Sequence, residues 1–202
     1  MEPSLSYEEI EIKFLVDDLA ALRQRVVALG ATVATPRTYE DNLCFDTPDG
    51  QLQQQGRLLR LRRDHRNLLT YKEPPETPDS DFKVRQEYEI EVSDFVQARA
   101  IIDKLGFVPV LRYEKYRETF VYDSAEILLD DTPCGAFVEL EGSRDMLETL
   151  IAVLALDTSR RLTASYGEIF QAVCSAYQLS FTDMTFANFQ HRTIDIRTCD
   201  IP

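Results

Sequence analysis

The chain has 202 residues, 44% hydrophobic and 28% charged, with a formal net charge of −13. Those totals allow one large domain or two small ones with a sizeable core. They argue against non-specific adhesion to nucleic acid or to an anionic membrane, and an anionic ligand would need locally concentrated bases or a bound cation.

The start, "MEPSLSYEE", lacks the basic and apolar regions of a secretory signal. No apolar run reaches the roughly 18 residues of a membrane-spanning helix. Cys44, Cys134, Cys174 and Cys199 lie far apart with no CxxC pair, which suits reduced thiols better than disulfides or a zinc site. The expectation is a soluble, cytoplasmic protein.

In chain order, 7–15 alternates like a strand. Residues 17–29 carry Leu19, Leu22, Val26 and Leu29 at helical spacing, with Asp17 or Asp18 as cap and Gly30 as stop. Extended structure is expected over 31–47, closing in the turn chemistry of "CFDTPDG". Residues 56–64 and 67–73 read as a strand pair, and "PPETPDSD" at 74–81 as a loop. A strand over 83–92 precedes a helix over 93–105, capped by Ser93 and stopped by Gly106. Extended pieces follow at 107–112, 115–123, 126–131 and 136–142, then helices at about 144–156 and 165–178. The last stretch, 179–202, is aromatic without a clear period and reads as a tail or lid. The halves resemble each other loosely, and no flexible linker separates them, so 1–178 reads as one antiparallel α+β domain.

Nearly every strand alternates charge with apolar side chains. Glu9, Glu11 and Lys13 share a face, as do Arg60 and Arg62, then Arg85, Glu87, Glu89 and Glu91. Lys72 stands two places from Thr70, Lys115 and Arg117 flank Tyr116, Asp130 shares a face with Leu128 and Glu126, and Glu139 goes with Glu141. For a single strand, a solvated face laced by cross-strand ion pairs is the simpler reading. Over the whole set the signs segregate by strand, which favours a barrel with a charged lumen and an apolar outside covered by helices. Clustered carboxylates suit Mg²⁺ or Mn²⁺ through oxygen, and clustered Arg and Lys suit phosphate. A polyphosphate with a bridging cation would satisfy both clusters.

"EIEIK" at 9–13 resembles the ExExK signature of the CYTH superfamily, the triphosphate tunnel metalloenzymes. The likeness continues through "RLRR", "YKE", the Arg85–Glu87–Glu89 run, Lys115 with Arg117, and "LDD…GAFVELE", so it spans Glu9 to about Tyr166. It implies an eight-stranded antiparallel β-tunnel that binds a triphosphate and a divalent metal. By position, Lys13, Arg60, Arg62, Lys72, Arg85, Lys115 and Arg117 resemble triphosphate ligands. Glu9, Glu11, Asp130, Glu139 and Glu141 resemble metal ligands, Glu87 and Glu89 suit a second metal or a supporting role, and Lys13, Glu9 and Glu11 are the implied catalytic set. The family includes tripolyphosphatases, thiamine triphosphatases and class IV adenylyl cyclases.

The first expectation is therefore a Mg²⁺- or Mn²⁺-dependent hydrolase of a small-molecule triphosphate. The alternative is a class IV adenylyl cyclase making cyclic AMP and pyrophosphate, and the second alternative a non-catalytic polyphosphate-binding module. A salt-bridged structural barrel would show no metal-dependent stabilisation by tripolyphosphate. No nucleic-acid or membrane partner is expected, and a homodimer would be unsurprising. His65 and His191 read as solvated loop residues, Arg160 and Arg161 as a helix-terminal pair, and Tyr166 as a plug at one tunnel end. Tyr39 and Asp41 are placed at the tunnel mouth or in the core. With no GxxxxGK[ST] and no GxGxxG, any nucleotide would be held by its phosphates through side chains.

Overall fold

The computed structural model describes residues 8–75 and 82–201. The N-terminal 1–7 and residues 76–81, most of the expected acidic loop, lie outside the described residues. Eight strands form the body: β1 (Glu8–Val16), β2 (Thr32–Asp46), β3 (Leu58–Arg63), β4 (Asn67–Glu73), β5 (Lys83–Glu91), β6 (Val108–Tyr122), β7 (Ala125–Thr132) and β8 (Gly135–Glu141). They pair antiparallel in the order β5-β4-β3-β2-β6-β7-β8-β1, and β1 pairs again with β5, so the sheet rings round on itself. The β1 edge is shared. Residues 8–11 face β5, while Lys13 and Phe14 face the two-residue strand β9 (Arg161–Leu162).

The alternation of charge and apolar side chains dictates this closure, because each strand has one face that must leave water and one that must not. Outward residues of β1, β7 and β8, among them Ile12, Phe14, Ile127, Leu129, Val138 and Leu140, are buried. They pack under α1 (Leu19–Ala28) and α4 (Arg144–Val153), which contribute Leu22, Val26, Leu147 and Leu150. Around β3, Phe45 and Leu61 meet Ile102 of α3 (Phe95–Lys104). Asp18 caps α1 by accepting from the Ala21 amide at 2.9 Å. Gly30 follows with φ 93°, a backbone that glycine adopts without strain. No helix among the described residues is long and apolar enough to cross a membrane.

Several boundaries differ from the sequence reading. The pieces expected at 107–112 and 115–123 are one 15-residue strand, β6, because "RYEK" keeps the two-residue alternation through the predicted break. Asp94, not Ser93, caps α3, its carboxylate accepting from the Gln97 amide at 3.0 Å. Helix α4 stops at Val153, ahead of Ala155 in the left-handed region at φ 48°. A short helix α2 (Gln51–Gln54) forms after the "TPDG" turn, its Leu52 and Gln53 amides bound by Asp46. Arg160 lies on the surface beside Asp17 and Asp157, and Arg161 opens β9.

One end of the ring is filled. Helix α5 (Tyr166–Tyr177) starts at Ser165 with a reciprocal capping box to Glu168 and buries Tyr166, Ile169, Phe170 and Val173. β7 pairs only with residues 116–122 of β6, which leaves the first half of β6 with an open edge. Met184 fills it: its amide donates to Arg112 O and its carbonyl accepts from the Glu114 amide, both at 2.9 Å. Beyond it, α6 (Phe186–Phe189) and a 3-10 turn (Ile196–Thr198) bury Phe189 and Ile196 in the same cluster as α5. Residues 179–201 are thus a packed segment under the ring.

Candidate active site

The ring encloses a cavity of about 380 Å³ lined by all eight strands and by Tyr166. Eight bases face it: Lys13, Arg60, Arg62, Arg66, Lys72, Lys83, Lys115 and Arg117. Nine acids do too: Glu9, Glu11, Glu40, Asp64, Glu87, Glu89, Glu126, Glu139 and Glu141.

Strand register fixes which charges meet. Glu11 stands opposite Glu141 on β8, and Glu141 opposite Glu126 on β7, so carboxylates gather along one row. One oxygen each from Glu9, Glu11 and Glu141 lies within 4.8 Å of the others. This trio carries unbalanced charge. Burial, then the charges of Glu9 and Glu11, holds the Glu141 carboxyl well above the usual range against the pull of Arg117. Burial, resisted by Lys72 and reinforced by Glu11 and Glu87, raises Glu9 to about 7. Burial would raise Glu11 as well, but Lys83, with Lys13 and Lys72, outweighs it and Glu139, and the group settles at about 2. Three oxygen donors converging with too much negative charge fit a hard divalent cation.

Lys72 and Lys83 reach the trio, and the other bases are held by different partners. Asp130, fully buried, accepts from Lys115 Nζ at 2.9 Å, from Arg117 Nε and Nη2 at 2.7 and 2.5 Å, and from the Tyr166 hydroxyl at 2.5 Å. Lys13 Nζ contacts Glu139 at 3.0 Å and donates to Ala164 O at 3.0 Å. It lies over the Tyr166 ring, 4.2 Å from the centroid, and Lys115 lies 4.6 Å from the same ring. Arg60 donates to Tyr113 Oη at 3.1 Å and Thr70 Oγ1 at 3.3 Å, and Thr70 donates to Glu89 at 2.7 Å. Arg62 reaches Asp64 at 3.3 Å and Glu40 at 3.7 Å. Arg117 also bonds Glu139, whose carboxyl lies well below its usual range because Lys13, Arg117 and Lys115 outweigh its burial.

Three expected ligands are placed otherwise. Arg85 does not line this cavity. Its guanidinium donates to Gly56 O at 2.7 Å and faces an adjoining cavity of about 250 Å³ beside α5. The backbone carbonyl between α2 and β3 captures it, and Lys83, one alternation earlier on β5, faces the tunnel instead. Asp130 and Glu139 do not join the trio: Lys115, Arg117 and Tyr166 take up the oxygens of Asp130, and Lys13 and Arg117 pair with Glu139. Glu87 faces the cavity beside Lys72, and Glu89 beside Arg60.

Sequence reasoning passed over Lys83 and Glu40, and set Glu126 on the face of Asp130 without giving it a role. Glu40 was legible by parity, since Tyr39 and Asp41 flank it and point out. Tyr39 packs on Tyr116 with ring centroids 5.5 Å apart, and Asp41 accepts from Arg112 at 2.7 Å. Burial would raise the Glu40 carboxyl, but Lys115, Arg117, Arg62 and Arg60 draw it down to about 2. His65 and Arg66, in the β3–β4 turn, line the cavity.

Comparison with known proteins agrees with this architecture. The CYTH domain model matches residues 8–162. A Methanocaldococcus jannaschii protein, named provisionally as an adenylate cyclase, is 33% identical over 137 residues, 67% of this chain and 77% of its own length. A Vibrio parahaemolyticus structure, also provisionally named an adenylate cyclase, superposes with a TM-score of 0.73 at 24% identity, over 81% of this chain and 98% of that one. A Hippeastrum structure, described as an adenylyl cyclase homologue with dominant triphosphatase activity, superposes with a TM-score of 0.57 at 17% identity, over 81% and 94% of the two chains. An eight-stranded ring, an ExExK first strand and a family match covering most of the sequence lead to one statement: the chain belongs to the CYTH domain family.

Proposed function

We propose that this protein is a divalent-metal-dependent hydrolase of a triphosphate bound inside the ring. The observation that carries the reading is the near balance of eight bases and nine acids around one cavity. A receptor for a bare polyanion would be overwhelmingly basic. A lumen of mixed sign, with its carboxylates gathered at Glu9, Glu11 and Glu141, suits a phosphate chain that brings a cation with it.

Glu9, Glu11 and Glu141 would hold the cation, which when bound supplies charge neutralisation to phosphoryl oxygens and acidifies a coordinated water. The chain's own residues do the positioning. Lys115 and Arg117, fixed from beneath by Asp130, present donors to one stretch of the phosphate chain. Lys13, anchored by Ala164 O and the Tyr166 ring, presents a third. Arg60 and Arg62 offer planar forks from the far wall. Phosphoryl transfer asks little covalent help of a protein, so this pre-arranged charge is the catalytic contribution. α5 closes one end and limits how far a phosphate chain can thread.

A second reading, an adenylyl cyclase, is favoured by the name of the 33%-identical relative. There the nucleophile would be the ribose 3′-hydroxyl attacking the α-phosphorus. A product assay with Mg²⁺ and then Mn²⁺, offering tripolyphosphate, thiamine triphosphate and ATP, separates the readings. Orthophosphate release supports the hydrolase, and cyclic AMP with pyrophosphate replaces it. Tripolyphosphate that raises Tm without turnover leaves a binding module.

A further inference from the structure

Among the described residues, the tunnel bases that form ion pairs with the Glu9–Glu11–Glu141 trio are Lys72 and Lys83. Lys72 Nζ lies 2.5 Å from Glu9, and Lys83 Nζ 2.6 Å from Glu11. Lys13, Arg60, Arg62, Lys115 and Arg117 pair instead with Glu139, Glu89, Glu40, Asp64 and Asp130. Glu141 makes no ion pair among the described residues. The two lysines also line both the 380 Å³ tunnel and the 250 Å³ cavity beside α5, so both ammonium groups have open space beside them.

We propose that Lys83, assisted by Lys72, is a tethered stand-in for the divalent cation. With Lys72 it offsets two of the trio's three carboxylates in the metal-free protein and is released toward phosphate when a cation arrives. The inference rests on the proposed metal site and adds a consequence to it. A cation entering alone must displace Lys83 from Glu11, its paired carboxylate, and leave Lys72 with Glu87 only, and a triphosphate entering alone finds these two lysines already engaged. Entering together, the cation takes the carboxylates and the phosphates take the lysines. Cation and triphosphate therefore strengthen each other's binding, by equal factors in the two directions.

The shape of the pair supports a switch over a fixed strut. Lys83 and Glu11 are neighbours across β1 and β5, with side-chain exposures of 17% and 10%. A four-carbon stem at a partly open position can move its charge several ångströms without disturbing the strand. Lys13 and Lys115, at 4% and 2%, are locked by packing.

The test is calorimetric titration of Mn²⁺, without and with tripolyphosphate, into the wild type, Lys83→Met, Lys83→Gln and Arg85→Met. Arg85 is the control for bulk charge, since it stands on the same strand but bonds Gly56 O. Removing the competing ammonium should tighten Mn²⁺ binding in the absence of tripolyphosphate by about tenfold in both Lys83 variants. It should also shrink the mutual enhancement between Mn²⁺ and tripolyphosphate. Lys83 variants that bind Mn²⁺ no tighter than wild type, or an Arg85→Met that tightens it equally, would overturn the proposal. If the wild type bound no Mn²⁺ even with tripolyphosphate present, the metal-site reading itself would fall.

Discussion

Asp130→Asn tests whether this lumen is built around fixed bases. The substitution keeps shape and one acceptor but removes the charge that Lys115, Arg117 and Tyr166 share. Lys115 is 1% exposed and Asp130 not at all, so water cannot replace the lost carboxylate. Stripping one partner from a buried ionic cluster costs about 3–5 kcal/mol. At this chain length each kcal/mol moves Tm by about 2–4 °C, so Tm should fall by about 10 °C. Tyr166→Phe, which removes one hydrogen bond to the same carboxylate but leaves its charge paired, should cost less, about 1.5–3 kcal/mol.

Thermal unfolding of wild type and variant, each with and without saturating Mg²⁺ and tripolyphosphate, is the assay. If the two bases serve phosphate, the ligand restores their counter-charge and the Tm gap narrows in its presence. Mn²⁺ affinity separates this role from metal ligation. Asp130→Asn should leave it nearly unchanged, whereas Glu141→Gln, within the trio, should weaken it by at least about tenfold. A variant within about 1 kcal/mol of wild type in the absence of ligand would refute the reasoning, because the cluster would then carry no buried charge that needs balancing.

Three further expectations follow from the same geometry. Lys13→Ala should lower kcat by about 100-fold or more with a smaller proportional loss of stability, read from steady-state kinetics beside thermal unfolding; near-normal turnover would remove Lys13 from the site. Glu9, raised to about 7 from 4.5, leaves the folded metal-free protein holding more protons than the unfolded chain, so its contribution to stability declines as pH rises from 4.5 through 7. Mn²⁺ binding near pH 6 should accordingly release protons, measurable as a buffer-dependent calorimetric heat, and a buffer-independent heat would contradict the shift. Burial pushes the Cys44 thiol to about 12 and Cys134 to about 11, so both should resist a thiol reagent at pH 8 until the chain unfolds, while the partly exposed Cys174 and Cys199 react first.

The alternation of charge and apolar side chains was enough to place most of the strands, β6 being the one it split, because a ring has only two faces and each residue must choose one. Lumen positions such as Glu9, Arg60, Lys115 and Glu139 followed from parity together with the segregation of charge sign by strand. What parity could not give was the partner of each charge. Arg85 and Lys83 share a face of β5, yet a backbone carbonyl at Gly56, brought in from the connection after α2, draws one away and leaves the other in the tunnel. Asp130 looked like any lumen carboxylate until α5 brought Tyr166 to it. The segment 179–201 has no period because it packs as an irregular filler against the unpaired edge of β6, where Met184 supplies two backbone hydrogen bonds and apolar contact without repeating structure.

The charge balance also governs how a triphosphate approaches the tunnel. Eight bases against nine acids leave the cavity at −1, so −12 of the chain's formal −13 lies elsewhere. A triphosphate therefore approaches a body that repels it and enters a lumen that holds it. Salt screens these two effects unequally: exposed charges beyond a Debye length of about 8 Å at 0.15 M are largely silenced, while buried contacts are screened much less. Raising KCl from about 20 to about 150 mM at fixed free Mg²⁺ should then increase kcat/KM for tripolyphosphate, by about twofold, where an ordinary basic anion site would lose it. A steady fall from the lowest salt would mean that Arg66 and its neighbours at the tunnel wall govern the approach, and that the acidic exterior is electrostatically remote from the mouth.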